Sequence, residues 1–287
     1  MKISKTAGIL LGIVLAVFSL GAYLYWGNTS IVTTHYRFEH TTVPDSFDGF
    51  KIVQVSDLHN TYFDGKLTER IKEEKPDLIV VTGDIIDRNR TNISVAAEFL
   101  ERITPLAPVY FVSGNHEVAS GVYETLRQEL DRLGVHNLDD DFTVLEQNGD
   151  RLGLVGLADP LMIQEDDLIE DEYGTSDHVI QTALEELVAE ADTDFTMLLS
   201  HRPERFELYT QTDVDLAFTG HAHGGQIRLP FIGGLYAPTQ GIFPEYTEGF
   251  YEENSTSMIV SRGLGNSIFP LRVFNRPELV VVTLESK

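Results

Sequence analysis

The side chains of this sequence that could do chemistry fall in five short polar clusters. These are Ser56-Asp57-Leu58-His59-Asn60, Gly83-Asp84-Ile85-Ile86-Asp87-Arg88, Gly114-Asn115-His116-Glu117, Ser200-His201-Arg202 and Gly220-His221-Ala222-His223-Gly224-Gly225. They offer carboxylate, amide and imidazole donors without sulfur, a set that suits divalent Mn, Fe, Zn or Co. Asp57, His59, Asp84, Asn115, His201, His221 and His223 are more ligands than one ion takes. Two ions roughly 3.5–4 Å apart need a shared ligand, and a carboxylate has two oxygens with which to bridge. Asp84, between the first and third clusters, is the expected bridge. Asp57 and His59, like His221 and His223, stand two residues apart, which on an extended chain sends both side chains of a pair to one side. A single histidine near a strand end is ordinarily a surface or hydrogen-bonded residue, and His35, His40, His136 and His178 are read that way. The other five of the nine histidines all fall inside the clusters, beside matching Asp and Asn residues, a placement that chance does not produce readily.

Each cluster closes an apolar run of strand length: Phe50 to Val55, Leu78 to Val81, Val109 to Val112, Phe195 to Leu199 and Leu216 to Thr219. Helical segments are expected at Lys66 to Lys75, Ile93 to Ile103 and Gly121 to Leu133, so strands and helices alternate as in an α/β sheet with crossover helices. Ligands of such sheets bind beyond the carboxyl ends of the strands, and the five clusters can therefore meet in one crevice. Asn148-Gly149-Asp150 between Thr143–Glu146 and Leu152–Leu157 is a hairpin signal that adds antiparallel strands. Ser176 is placed to cap a helix carrying Ile180, Leu184 and Val188, and further strands are expected at Met258–Ser261 and Leu279–Leu284. No repeat or low-complexity linker divides residues 46–287, which read as one mixed α/β domain, with 27–45 a linker and lead-in strand.

Residues 7–26 form an uncharged apolar run of 20 residues, about 30 Å as a helix and enough to cross a bilayer core. Lys2 and Lys5 precede it and Tyr23, Tyr25 and Trp26 close it, the pattern of a cytoplasmic basic flank and an interfacial aromatic belt. A single-pass anchor over 1–26, with the rest of the chain on the extracytoplasmic side, is the expectation. A cleaved signal peptide competes, but the run is long for one and no clean small-x-small site follows. Asp and Glu number 45 against 21 Lys and Arg, giving a formal charge of −24, which repels nucleic-acid backbones and excludes nonspecific nucleic-acid binding. The absence of cysteine excludes disulfide scaffolds, thiolate metal sites and thiol catalysis.

The ordered set Asp57-x-His59, Gly83-Asp84-x-x-Asp87-Arg88, Gly114-Asn115-His116-Glu117, His201 and Gly220-His221-x-His223 resembles the signature of the calcineurin-like metallophosphoesterases. Those are binuclear phosphoester hydrolases with a four-layer αββα sandwich of mixed sheets. Residues 224–230 and 261–265 resemble their membrane-associated bacterial phosphodiesterase branch, so the likeness covers nearly all of 46–287. The resemblance implies that Asp57, His59, Asp84 and His223 hold one ion and Asp84, Asn115, His201 and His221 the other. It implies attack on phosphorus by a hydroxide shared between the ions, with a phosphodiester favoured over a monoester. His116 would be the general acid at the leaving group, its ring oriented by Asp87, and a histidine can supply that proton. Arg88 either contacts phosphate or pairs with a carboxylate. The cations would let an acidic domain admit an anionic ester, envelope-derived or lipid-linked.

Two other classes fit parts of the pattern. A binuclear hydrolase of non-phosphorus esters could use the same ions, and a noncatalytic surface protein could use them for stability alone. Phe231, Leu235, Tyr236, Phe243, Tyr246, Phe250 and Tyr251 lie among glycines and prolines; packing of this loop onto its own domain is expected, and a lid or an apolar wall for a lipid-like group is the alternative. Six of the eight residues 165–172 are acidic, without calcium-loop spacing, and read as solvated surface.

Overall fold

The computed structural model describes residues 4–163, 175–266 and 269–287. The acidic run 165–172 lies outside the described residues. Seven α-helices are described: α1 (Lys5–Thr29), α2 (Lys66–Glu74), α3 (Ile93–Ile103), α4 (Asn115–Ala119), α5 (Tyr123–Leu133), α6 (Thr175–Ala191) and α7 (Phe206–Tyr209). The strands of the first half are β1 (Val32–His40), β2 (Lys51–Val55), β3 (Leu78–Thr82), β4 (Val109–Val112), β5 (His136–Asn137), β6 (Asp141–Gln147) and β7 (Asp150–Gly156). Those of the second are β8 (Thr196–Leu199), β9 (Leu216–Thr219), β10 (Arg228–Leu229), β11 (Gly233–Gly234), β12 (Tyr236–Ala237), β13 (Gly241–Ile242), β14 (Gly249–Glu253), β15 (Thr256–Val260) and β16 (Glu278–Ser286).

Two six-stranded mixed sheets result, ordered β1-β16-β2-β3-β4-β5 and β14-β15-β9-β8-β7-β6. Strand side chains alternate between faces, and that alternation sorts the core into three apolar layers. Val53, Val55, Ile79 and Val81 pack on α2, α3 and α5. Ile52, Leu78 and Val80 meet Leu154, Met197, Leu199 and Phe218 between the sheets. Val155, Leu198, Ala217 and Val260 pack on α6 and α7. Helix, sheet, sheet, helix is the four-layer αββα order expected from the resemblance. Because the central strands are covered on both faces, they are almost wholly apolar, as buried parallel strands must be.

The hairpin at Asn148-Gly149 forms as its turn residues dictate, joining β6 to β7. Elsewhere two details refine the sequence reading. β1, the strand within the segment read as linker and lead-in strand, pairs with β16 over nine residues and belongs to the first sheet. The cap read at Ser176 lies outside the described side chains. The aromatic loop packs onto the domain only in part: Tyr246 lies against Phe206 and Tyr251, while Phe231, Tyr236, Phe243 and Phe250 are exposed.

α1 is apolar between its polar ends, its membrane-length window has no buried residue, and it meets the domain near its C-terminal end. There Asn28 exchanges hydrogen bonds with the backbone of Arg272, and Arg276 stacks over Trp26 at 4.6 Å.

Candidate metal centre

Every cluster read from the sequence follows a strand that ends on one shared edge. β2, β3 and β4 of the first sheet deliver Asp57, Asp84 and Asn115; β8 and β9 of the second deliver His201 and His221. The site therefore lies across the two sheets. Backbone bonds from Asp57 N to Gly83 O (3.0 Å) and from His59 N to Asp84 O (2.9 Å) zip the first two loops together. Glycine is required where the loops press closest: a Cβ on Gly220 would lie 2.0 Å from Ser56 Oγ, and one on Gly83 would lie 2.6 Å from Gly114 N.

The local backbone corrects one expectation. Asp57, His59, Asp84, His221 and His223 all have positive φ, between 46° and 62°, so neither i, i+2 pair lies on an extended chain. Such conformations cost energy in non-glycine residues and persist where the surroundings enforce them. One result is that His221 and His223 reach different partners.

Ligand atoms of Asp57, His59, Asp84 and His223 lie within 4.8 Å of one another, and so do those of Asp84, His201 and His221. All are buried, and Asp84 belongs to both groups. Its Oδ2 stands 3.5 Å from His59 Nε2 and 3.3 Å from His201 Nε2, while Oδ1 accepts from His116 N at 2.7 Å. One oxygen thus faces both halves, in place of the two-oxygen bridge expected. His59 Nε2 lies 3.1 Å from His223 Nε2, and His201 Nε2 lies 3.2 Å from His221 Nδ1. Asn115 Oδ1 is buried without a hydrogen-bond partner, the condition of an acceptor awaiting a cation. Converging ring nitrogens, two carboxylates and an orphan amide oxygen fit a pair of divalent ions.

The electrostatics keep the histidines usable as ligands. Burial pulls His59 down to about 3 and takes His221 and His223 well below the ordinary imidazole value, so their lone pairs stay free. Burial acts the same way on His201, but the Asp84 carboxylate overrides it and raises that ring to about 10, while Asp84 itself, despite burial, is held well below the carboxylate range by His201. A divalent ion would take the place of that proton. His201 Nδ1 lies 2.8 Å from Thr82 O, so it donates there and leaves Nε2 to face Asp84.

Two arginines stand behind the paired histidines. Arg202 Nη1 lies 2.9 Å from His221 Nε2, and its guanidinium is held bidentately by buried Asp159 at 2.6 and 3.0 Å. Arg272, wholly buried, places Nη2 3.3 Å from His223 Nδ1. Asp159 and Arg272 escaped the sequence reading. Asp159 did leave a signal, since it follows β7 as the other clusters follow their strands; Arg272 sits in a loop with no such mark. Glu117, part of a quoted cluster but given no role, accepts the backbone N–H groups of Asp84, Gly114 and Ile86 at 2.6, 2.8 and 3.1 Å and so fixes the bridge loop.

His116 is buried beside His59, ring centroids 4.4 Å apart, and ligand-type atoms of His59, Asp87 and His116 lie within 4.8 Å of one another. His116 Nδ1 accepts from the backbone N–H of Arg88 at 3.1 Å. Asp87 instead accepts from the N–H groups of Asn89 and Arg90, shaping the turn, and its other oxygen lies 4.0 Å from His59 Nδ1. A donor aimed at Nδ1 leaves the ring proton on Nε2, and burial lowers the His116 pKa below the ordinary imidazole value. The Arg88 side chain is exposed and has no carboxylate within pairing distance among the described residues, which leaves it open to an anion. A cleft of about 370 Å³ bounded by His59, Asn60, Arg90, Asn266 and Pro270 leads to the centre. A larger cavity, about 930 Å³, lies between the end of α1 and α2 and has no ligand cluster among the described residues. His35, His40, His136 and His178 stand outside the centre, as read.

Residues 50–225 match the sequence model of the calcineurin-like phosphoesterases. The chain is 36% identical over 266 residues to the uncharacterized metallophosphoesterase YkuE of Bacillus subtilis, covering 89% of this chain and 86% of that one. It is 27% identical over 248 residues to the phosphodiesterase YaeI of Escherichia coli, covering 84% of each. A transmembrane protein with metallophosphoesterase domain from Danio rerio is 26% identical over 255 residues, which cover 85% of this chain and 55% of that protein.

Proposed function

The chain belongs to the calcineurin-like phosphoesterase family, whose members are metal-dependent phosphoester hydrolases, and from that premise we propose that it is a membrane-anchored, binuclear phosphodiesterase. The observation that carries this reading is Asp84 Oδ2 standing between His59 and His201, each backed by its own set of buried ligands. Asp57, His59, Asp84 and His223 would hold one ion, and Asp84, Asn115, His201 and His221 the second. The ions, when bound, supply positive charge for the phosphoryl oxygens and a water nucleophilic at neutral pH.

The rest falls to the chain. His116, its Nδ1 accepting from the Arg88 N–H, offers an Nε2–H hydrogen bond to the departing oxygen, which takes its proton from water. Arg90, which lines the cleft, and the exposed Arg88 two residues before it draw in the anionic ester against the acidic background of the domain. A diester is favoured over a monoester by the likeness to YaeI. The apolar run of α1, with Lys2 and Lys5 on its N-terminal side, supports a reading in which the centre faces the extracytoplasmic side of a cell membrane. Elemental analysis of the purified chain, with turnover of a chromogenic phosphodiester before and after chelation, tests the reading. Two divalent ions per chain and activity restored by readdition are expected; full turnover in metal-free protein overturns it.

A further inference from the structure

We propose that the exposed apolar side chains Phe231, Ile232, Ile242, Phe243, Phe269 and Phe274 form a rim that dips into the bilayer interface beside α1 and holds the cleft against the membrane surface. The proposal rests on the anchor reading given above and adds a second, independent contact with lipid.

Position is the first argument. Phe274 N donates to Tyr23 Oη at 3.1 Å, and the two rings stand 5.6 Å apart. Tyr23 precedes Trp26 by three residues, about 4.5 Å along a helix axis and toward the bilayer centre. If α1 spans, Phe274 is thereby carried to the depth of the aromatic belt. The hairpin β10–β11 is tied to the same loop by Arg228 N to Val273 O at 3.0 Å, and its tip is Phe231 and Ile232. Phe243 N in turn bonds Leu235 O at 3.0 Å, which links the β12–β13 hairpin to this group.

Composition is the second. Residues 229–243 contain no Asp, Glu, Lys or Arg in a chain that is 23% charged. Phe231 is fully exposed, and Ile242, Ile232, Phe243 and Phe274 are each more than 60% exposed. A contiguous apolar patch of this kind on a soluble face marks a partner surface. The partner is identified by what adjoins it: the lipid-facing end of the apolar helix. An acidic domain gains nothing from anionic headgroups, so its contact with a bilayer has to be apolar.

The same segments border the chemistry. Thr239, between β12 and β13, places Oγ1 3.4 Å from His221 Nε2, and Pro270 lines the cleft with His59. Apolar side chains outside and metal ligands inside present the centre to phosphoesters carried by lipids at the membrane surface.

The chain has no cysteine and a single tryptophan, which makes the test direct. Full-length Phe231→Cys, Phe243→Cys and Asp213→Cys variants, each carrying one fluorophore, are reconstituted in phosphatidylcholine vesicles doped with nitroxide-labelled lipid. Asp213 is exposed near the start of β9, away from the ligand loops. Labels at 231 and 243 are expected to be quenched severalfold more than the label at 213, alongside quenching of Trp26. Rim labels that behave like the one at 213 while Trp26 is quenched leave the anchor standing and overturn the rim. Unquenched Trp26 overturns the anchor reading and the rim with it.

Discussion

The two halves of the metal centre differ in their ligands and agree in their charge. The first half has two carboxylates, Asp57 and Asp84, and behind His223 stands Arg272, whose guanidinium meets His223 Nδ1 and the carbonyls of Gly265 and Arg262. Burial, with no carboxylate in contact, pulls Arg272 down to about 10. The second half has one carboxylate, Asp84, and a neutral amide, yet Arg202 behind His221 is matched by buried Asp159. Counting Asp84 in each, and only the groups just named, both halves end one unit negative. What one half does with a ligand-type residue, the other does with an outer ion pair, so the charge around each proposed ion would be set in part by residues that do not touch it.

The largest expected effect comes from removing what the halves share. Asp84→Asn should release both ions and lower diester turnover by about 10³-fold or more, since the ions contribute several kcal/mol to the transition state. One ion retained at full occupancy would show that the halves are independent. His116→Ala should keep both ions and slow turnover by about 10²–10³-fold, the range of one lost hydrogen-bond donor to the charge that develops in the transition state. Metal loss in that variant would place the ring among the ligands. Asp159→Asn leaves Arg202 uncompensated beside His221 and should weaken one ion by about 10- to 100-fold, as outer partners do. Titration with a chelator should then remove one equivalent early and the other at the concentration the unaltered protein needs. Two ions departing together would break the charge comparison.

The halves were also unequally legible in the sequence. Strand ends declared themselves because each apolar run stops at a polar cluster, and the αββα order followed from the motif resemblance. Conformation inside the clusters did not declare itself: spacing alone put His221 and His223 on one side of an extended chain, whereas positive φ at both turns them to different partners. Outer partners depend on long-range contacts. Arg272 lies 49 residues from the histidine it backs, in a loop that carries no His, Asp or Glu. Exposure of the loop aromatics is likewise decided by what packs above them, and no local pattern distinguishes Tyr246, seated on Phe206, from Phe243 in the open.

The smallest effect concerns Glu117, which buttresses the seam between the halves. Burial, and then the Asp84 charge, push its carboxyl from 4.5 up to about 8, against the pull of the Ile86 and Gly114 N–H groups. In chelated protein the folded chain then holds a proton through a window where the unfolded chain has released it. Stability from this group is complete below pH 4.5 and lost as pH rises to 8. Asp57, raised to about 6 mainly by burial, acts with the same sign over the lower part of the window. The Tm of chelated protein should therefore fall between pH 5 and 8, by roughly 2–4 °C for each kcal/mol lost. Glu117→Gln cannot ionise and should flatten the upper part of that slope, from about pH 6 to 8, leaving the part due to Asp57. Reloaded metal should flatten it too, because cations beside Asp84 offset the charge that raises Glu117. Circular dichroism melts of both proteins, with and without chelator, check this; an unchanged upper slope in Glu117→Gln would assign the pH dependence to the ligands alone.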